Sequence, residues 1–412
     1  MVGAELGSRR HRPDYALVVI ITMLTILGLI VVYAISPGLS TLTNVSDNYF
    51  VNKQMIAILL AILVFVVVSR VPIKAWRSLL TPLIFLSIVA LAATQFLGEE
   101  QNGASRWVQI GSLSFQAVEM VKFTLILWLS VFLAQRHKAG EVDSYEKTVK
   151  PIGLLLAGLA FVVAIMQSDL GSMGVIAAII GAMLFVGGLS FRWFMAGIVA
   201  VLVGSVLLIA SSPYRQERVA TFLNPQADCQ AEGYQACQAL VAVGSGGMFG
   251  KGIDRSTQAY GYLPEAANDS IFAVIAEMFG FVGVSIMLGF FVGLFTRLVK
   301  LIERTPDLET RLMVVGVLAW ISTQAFINIM AMIGLFPLKG ITLPFISYGG
   351  TSLIFITAAI ALVFNISRYT TYSVHEISVQ RNATGRSGSN HDYSTQRRRD
   401  GRTHYAHTFR RS

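Results

Sequence analysis

The chain has 412 residues, of which 54% are hydrophobic and only 13% charged. Its mean hydropathy is +0.63. Soluble domains carry about 25% charged residues, so this composition excludes a water-soluble globular protein and requires lipid as solvent. The formal charge of +9 does not point to nucleic acid, because nine arginines against three acidic residues crowd into 368–412. A basic tail beside a last span meets anionic headgroups.

Residues 1–14 carry Arg9, Arg10 and Arg12 ahead of an apolar run. That run exceeds the roughly 7–15 residues of a cleaved signal core, so it reads as a retained span. A membrane helix needs roughly 20 apolar residues. Ten candidates follow in order: 15–35, 51–69, 77–97, 117–135, 151–167, 171–189, 193–211, 270–297, 312–334 and 350–367. The runs are continuous rather than alternating, which argues for helices and against a β-barrel. The expected fold is an all-α integral membrane protein: a bundle of about ten transmembrane helices over 15–367, with one long extracytoplasmic loop, 212–268, before the eighth.

Placing the N-terminus in the cytoplasm puts fifteen Lys and Arg in the inner segments before the tail, against Lys53, Arg106 and Lys339 in the short outer ones. An even span count returns the tail 368–412 to the same side. Its Ser, Arg, Asn and Gly content predicts disorder. A loop as long as 212–268 is functional or disordered. It holds Cys229 and Cys237 on the oxidising side, either as a local disulfide or as two unpaired thiols.

Ionisable residues inside spans are costly and point to function. They are Glu119, Lys122, Asp169 and Glu277, with Asn328 as a neutral companion, and all fall in the outer half. A transporter needs a midplane site with routes to both faces; an outer-leaflet enzyme needs a cavity open on one side. The pattern favours the enzyme. Bland roles compete at each position. Glu119 and Lys122 are spaced to neutralise each other, Asp169 and Asp269 to cap helices, and Asn328 to join helices.

Four segments carry more. They are Asn102-Gly103-Ala104-Ser105-Arg106-Trp107 leading to Gln116-Ala117-Val118-Glu119-Met120-Val121-Lys122; Gln167-Ser168-Asp169-Leu170-Gly171; the glycine-rich 244–252 with Leu263-Pro264-Glu265-Ala266-Ala267-Asn268-Asp269; and the stretch from Pro337 to Ser352. Together they resemble the SEDS (FtsW/RodA/SpoVE) family over most of the membrane part. There are departures: Ala117-Val118 where the family has Pro-Ser, Ser168 where it has Pro, Asn268-Asp269-Ser270 where it has Thr-Asp-Phe, and Met278 for a second Glu.

The resemblance implies a peptidoglycan glycosyltransferase of the bacterial plasma membrane that polymerises lipid II at the outer leaflet. It implies a class B penicillin-binding protein as partner. The segments 339–344 and 365–368 lean towards the division member, hence towards the septum and other division-complex membrane proteins. The competing readings are an elongation role, a lipid II flippase and an inactive scaffold. Asp269 matches the family's catalytic carboxylate, the general base for the acceptor 4-hydroxyl. Pyrophosphate leaves readily, so one base and cations suffice, unlike the two carboxylates of glycosidases. Arg106 and Lys122 are the first candidates for the diphosphates, with Arg215, Arg218, Lys251, Arg255 and Lys339 behind them. Gln116, Glu119, Asp169, Glu277 and Ser347 complete the substrate-binding set. Trp107 is expected at the interface as a belt residue rather than stacked on a sugar. The glycine run lacks a Walker ending. No metal-ligand spacing is visible and no cofactor is expected, a bridging magnesium or manganese ion being the one candidate.

Overall fold

The Asp14 side chain accepts from the Ala16 amide and opens the first helix. The computed structural model describes residues 12–370 except 102, 103, 111, 112, 225–228 and 232. The expected disorder of the basic tail therefore lies, from residue 371, outside the described residues. Ten described helices are long and apolar enough to cross a membrane: α1 Tyr15–Thr43, α2 Tyr49–Val68, α3 Ala75–Leu97, α4 Ala117–Lys138, α5 Tyr145–Met166, α6 Leu170–Gly187, α7 Phe191–Ala210, α10 Ile271–Arg304, α11 Leu308–Met332 and α12, whose span runs Gly350–Tyr369. The chain is a multi-pass membrane protein with an all-α bundle, as the composition requires.

Two features depart from expectation. Before α4 three short strands form a small antiparallel meander, β1 Glu99–Gln101, β2 Ala104–Ile110 and β3 Leu113–Gln116, with Trp107 paired to both Glu99 and Gln116. The eleventh helix also starts earlier than its apolar run, because Asp307 caps it by accepting from the Thr310 amide. That brings Glu309 inside the bundle, buried and paired with Arg77 of α3. The half of the bundle away from the meander is thus not purely apolar.

Burial grades from centre to rim. Helices α4, α11 and α12 bury most of their side chains, whereas α7 buries none and presents Val199, Leu202 and Leu207 outward. In water this surface would be a liability; in lipid it is the required one. The long connection before α10 carries two short helices, α8 Pro213–Leu223 and α9 Tyr234–Ser245. Cys229 and Cys237 are joined by a disulfide.

The glycine run after α9 braces a kink. Gly280 breaks α10 with φ of 64°. Lys251 and Gly252 amides donate to the Glu277 and Met278 carbonyls (2.9 and 3.0 Å), and Phe281 and Val282 amides donate back to Gly247 and Met248. A Cβ on Gly250 would lie 2.1 Å from the Met278 carbonyl oxygen, at a φ of +80°. Gly250→Ala should therefore lower stability by about 1–3 kcal/mol or more. Thermal unfolding in detergent reads it, and an unchanged midpoint would refute the close approach.

Candidate functional site

Antiparallel helices bring α1–α2, α3–α4, α5–α6 and α11–α12 connections to one end of the bundle, together with the meander and the loop 212–268. There a cavity of about 520 Å³ opens, lined from every one of the sequence motifs. Its walls include Arg106 and Trp107 from β2, Ser168, Leu170 and Gly171 from the α5–α6 break, Arg215 and Arg218 from α8, Gln235 from α9, Glu265, Asn268 and Asp269 before α10, and Lys339, Gly340, Thr342 and Tyr348 before α12.

Asp269 sits just outside α10. It does not cap that helix: the capping position is Ser270, and no side chain makes the cap bond. Its carboxyl is instead buried in the cavity wall. Burial and the neighbouring Glu265 push its pKa up to about 7, against the opposing pull of its own backbone, the Gln235 amide and Arg218. Asn328 of α11 fixes the main chain there, donating to the carbonyls of Asp269 and Ile341 (2.7 Å each). Ser347 adds a second tie, donating to the Asn268 carbonyl at 2.6 Å. Asn328 and Ser347 thus join the two loops flanking the carboxylate.

The cations divide. Lys339 lines the cavity, and its pKa is lowered by burial and by the nearby Arg218 and Arg215. Arg218 donates to the Leu338 carbonyl, and Arg215 to the carbonyls of Leu208 and Ala164. Three positive groups from α8 and the α11–α12 loop therefore gather on one wall. Arg106 lines the cavity too, but its guanidinium donates to the carbonyls of Gln167 and Ser168 (2.9 Å each), stitching the meander to the α5–α6 break. Ser168 has φ of 51°, a conformation proline cannot adopt. That backbone stands where the Arg106 guanidinium holds the chain.

Other expected site residues lie elsewhere. Lys122 and Glu119 do not line the cavity; they are buried as an ion pair of 2.6 Å. Lys122 also donates to Gln324, which accepts from Trp320 and donates to the Thr342 carbonyl and hydroxyl. The pair thus supports the cavity wall from beneath. Glu277 is fully buried and accepts from Lys251 (2.9 Å), Ser256, and the amides of Thr257 and Gln258. Lys251 is thereby committed to the glycine-rich brace. Asp169 caps α6 with both oxygens, one accepting from the Ser172 amide and the other from its hydroxyl. The Gln116 main-chain N–H donates to the Thr351 hydroxyl. Trp107 lines the cavity.

Gln54 and Gln235 line the cavity from outside the four motifs, and Glu265 from within the third. Gln54 had a signal, as the last polar residue before α2 turns wholly apolar. Gln235 had only its position two residues before Cys237. Among the described residues no three His, Cys, Asp or Glu gather to hold a metal ion. A divalent cation would find Asp269 and Glu265 as the cavity carboxylates outside the α6 cap, an incomplete donor set.

Comparison with known proteins agrees with this architecture. A model of the FtsW/RodA/SpoVE cell cycle proteins matches residues 15–372. Stage V sporulation protein E of Bacillus subtilis is 34% identical over 370 residues, covering 89% of this chain and all of the relative. The probable peptidoglycan glycosyltransferase FtsW of Aliivibrio salmonicida is 36% identical, over 86% of this chain and 88% of the relative. Among solved structures, a chain from a peptidoglycan synthase complex aligns with a TM-score of 0.69 at 29% identity, over 86% of this chain and 98% of that one. The rod shape determining protein RodA of Thermus thermophilus aligns with a TM-score of 0.62 at 28% identity, over 87% and 98%. The chain belongs to the FtsW/RodA/SpoVE family.

Proposed function

We propose that this protein is a peptidoglycan glycosyltransferase that polymerises lipid II. The observation carrying the reading is one carboxyl, Asp269, tuned to about 7 inside a polar cavity whose wall gathers Lys339, Arg215 and Arg218. As carboxylate, Asp269 takes the proton of the acceptor 4-hydroxyl. The freed oxygen attacks the donor's anomeric carbon, and the bond to the pyrophosphate breaks. The leaving group keeps the electron pair, and its growing charge is met by the three cations. Asp269 then returns its proton to water. A general base of this kind contributes about 10²–10⁴-fold.

The cavity end faces the outside in this reading. The Lys and Arg asymmetry supports it, and so does the disulfide in the loop at that end, since disulfides persist in oxidising compartments. Both termini are then cytoplasmic. The similarity to a chain of a peptidoglycan synthase complex supports a crosslinking penicillin-binding protein as partner, and the relatives named FtsW support a role at the division septum.

Beneath the cavity the Glu119–Lys122–Gln324–Trp320 cluster is sealed, which favours polymerisation over translocation of the lipid. Proteoliposomes loaded with lipid II separate the two. Glycan strands should form on the cavity side, with no translocation beyond protein-free vesicles. Translocation without polymer would refute the enzyme.

Gln235 tunes the base. It donates to Asp269 (3.5 Å) and Ser270 (3.1 Å) from a helix stapled by the disulfide. Its bond favours the ionised carboxyl, so Gln235→Leu should raise the Asp269 pKa further. The acidic limb of the pH–rate profile should move to higher pH, with the alkaline plateau kept. A profile superposable on the wild type would remove Gln235 from this role.

A further inference from the structure

The cavity has a second polar wall, built by the start of α2 and the start of α12. Gln54, Ala57 and Ala61 share one buried face of α2 at helical spacing. A Cβ on Gly350 would lie 3.6 Å from that of Ala57, so this face meets the first turn of α12. Side chains on a helix lean towards its N-terminus, which carries Gln54 from that contact towards the cavity it lines.

Gln54 is 1% exposed, yet neither its amide nitrogen nor its amide oxygen has a hydrogen-bond partner among the described residues. Leaving a buried polar group unmade costs about 1–3 kcal/mol. Beside it, α12 begins at Gly349 with no side-chain cap. Thr351, in the first turn, donates its hydroxyl to the Ser114 carbonyl. The first amides of α12 and the positive end of its dipole are thus left for a ligand at the cavity, where Gly349, Gly350 and Thr351 form the lining. Lys53 lines the same wall, with its ammonium 4.4 Å from the Tyr49 ring and no carboxylate partner among the described residues.

We infer that this wall is a second substrate seat, for the 1-diphosphate of an N-acetylated sugar. The α12 amides and Lys53 take the phosphates, and the paired donor and acceptor of Gln54 match an acetamido group. The inference rests on the polymerase reading and assigns its two substrates. The donor's diphosphate must lie at the reacting carbon, near Asp269. Lys339 is there, since its neighbour Gly340 would place a Cβ 3.8 Å from the Asp269 carboxylate. The acceptor is attacked at its other end, so its diphosphate belongs at a separate anion seat, the one on α2 and α12.

The test uses the full chain with Asp269→Asn, so that substrate is not consumed, in nanodiscs of neutral phosphatidylcholine. Lipid II should bind at two sites per chain. Gln54→Leu and, separately, Lys53→Gln should each weaken one site by about tenfold or more and spare the other. Gln54→Leu should also leave thermal stability equal or higher, because it removes an unmatched amide; Lys53→Gln keeps the test open should it not. Two unchanged sites in both variants would overturn the seat. So would loss of the second site in wild-type-seat protein when phosphatidylglycerol is added, which would assign the wall to ambient headgroups. If Asp269→Asn still polymerises, the polymerase reading fails by itself; if it is inactive and both variants bind normally, only the second seat fails.

Discussion

Asp269→Asn should abolish lipid II polymerisation, with a loss of about 10²–10⁴-fold or more in rate. The substitution keeps the side chain's size and removes only its ability to hold a proton from the acceptor. Folding should survive, because Asn328 grips the main-chain carbonyl of residue 269, not its side chain. Ser347 likewise grips the carbonyl of Asn268. Purified variant and wild type should unfold within a few degrees of each other while only the wild type yields glycan strands. Normal strand formation by the folded variant would remove Asp269 from the chemistry.

The second large effect is on stability. Lys122→Met should destabilise the protein by about 3–5 kcal/mol, the cost of leaving one member of a buried ion pair uncompensated. Glu119 would then be a carboxylate at 3% exposure that has lost its cation, and one of its oxygens already lacks a partner among the described residues. The damage should reach the cavity, since Lys122 also serves Gln324, which holds Thr342. Pairing the change with Glu119→Gln should recover most of the lost stability. If the single variant unfolds at the wild-type temperature, the pair is not the keystone of this wall. This role also explains why a lysine expected on the diphosphate is absent from the cavity. At i, i+3 on α4, with Trp320 and Gln324 of α11 closing over it, its ammonium is consumed inside the bundle.

The spans were legible because lipid imposes one simple demand, a run of apolar residues of sufficient length, and the chain meets it ten times. Ends were less legible. Asp307 and Asp14 extend or fix helices through cap bonds that hydropathy does not register. The meander at 99–116 was invisible because its strands are three, seven and four residues long and carry little alternation. The ion pair of Glu119 and Lys122 could be read from spacing, whereas that of Lys251 and Glu277 joins residues 26 apart and needed the fold. Asp269 was legible through resemblance alone. As an isolated residue before a helix it read as a cap, and only the structure shows the cap position passing to Ser270.

Polar residues behaved as the cost of burying them demands. Glu277 in the kinked helix is satisfied by a loop wrapped around it, and the glycines at 246, 250 and 280 permit that approach. Asp169 is satisfied by its own helix. Asp269 is the exception: burial raises its pKa, and the Gln235 amide that donates to it stands at 3.5 Å. A carboxyl so placed is poised to exchange a proton near neutrality.

The pH dependence of strand synthesis tests the central claim most directly. A base must be deprotonated to act, so wild-type single-turnover rates should climb with pH through a midpoint at about 7 and level off above it. The residual rate of Asp269→Asn should lack that limb. A wild-type profile flat from pH 5 to 8, or the same limb persisting without the carboxylate, would contradict the account.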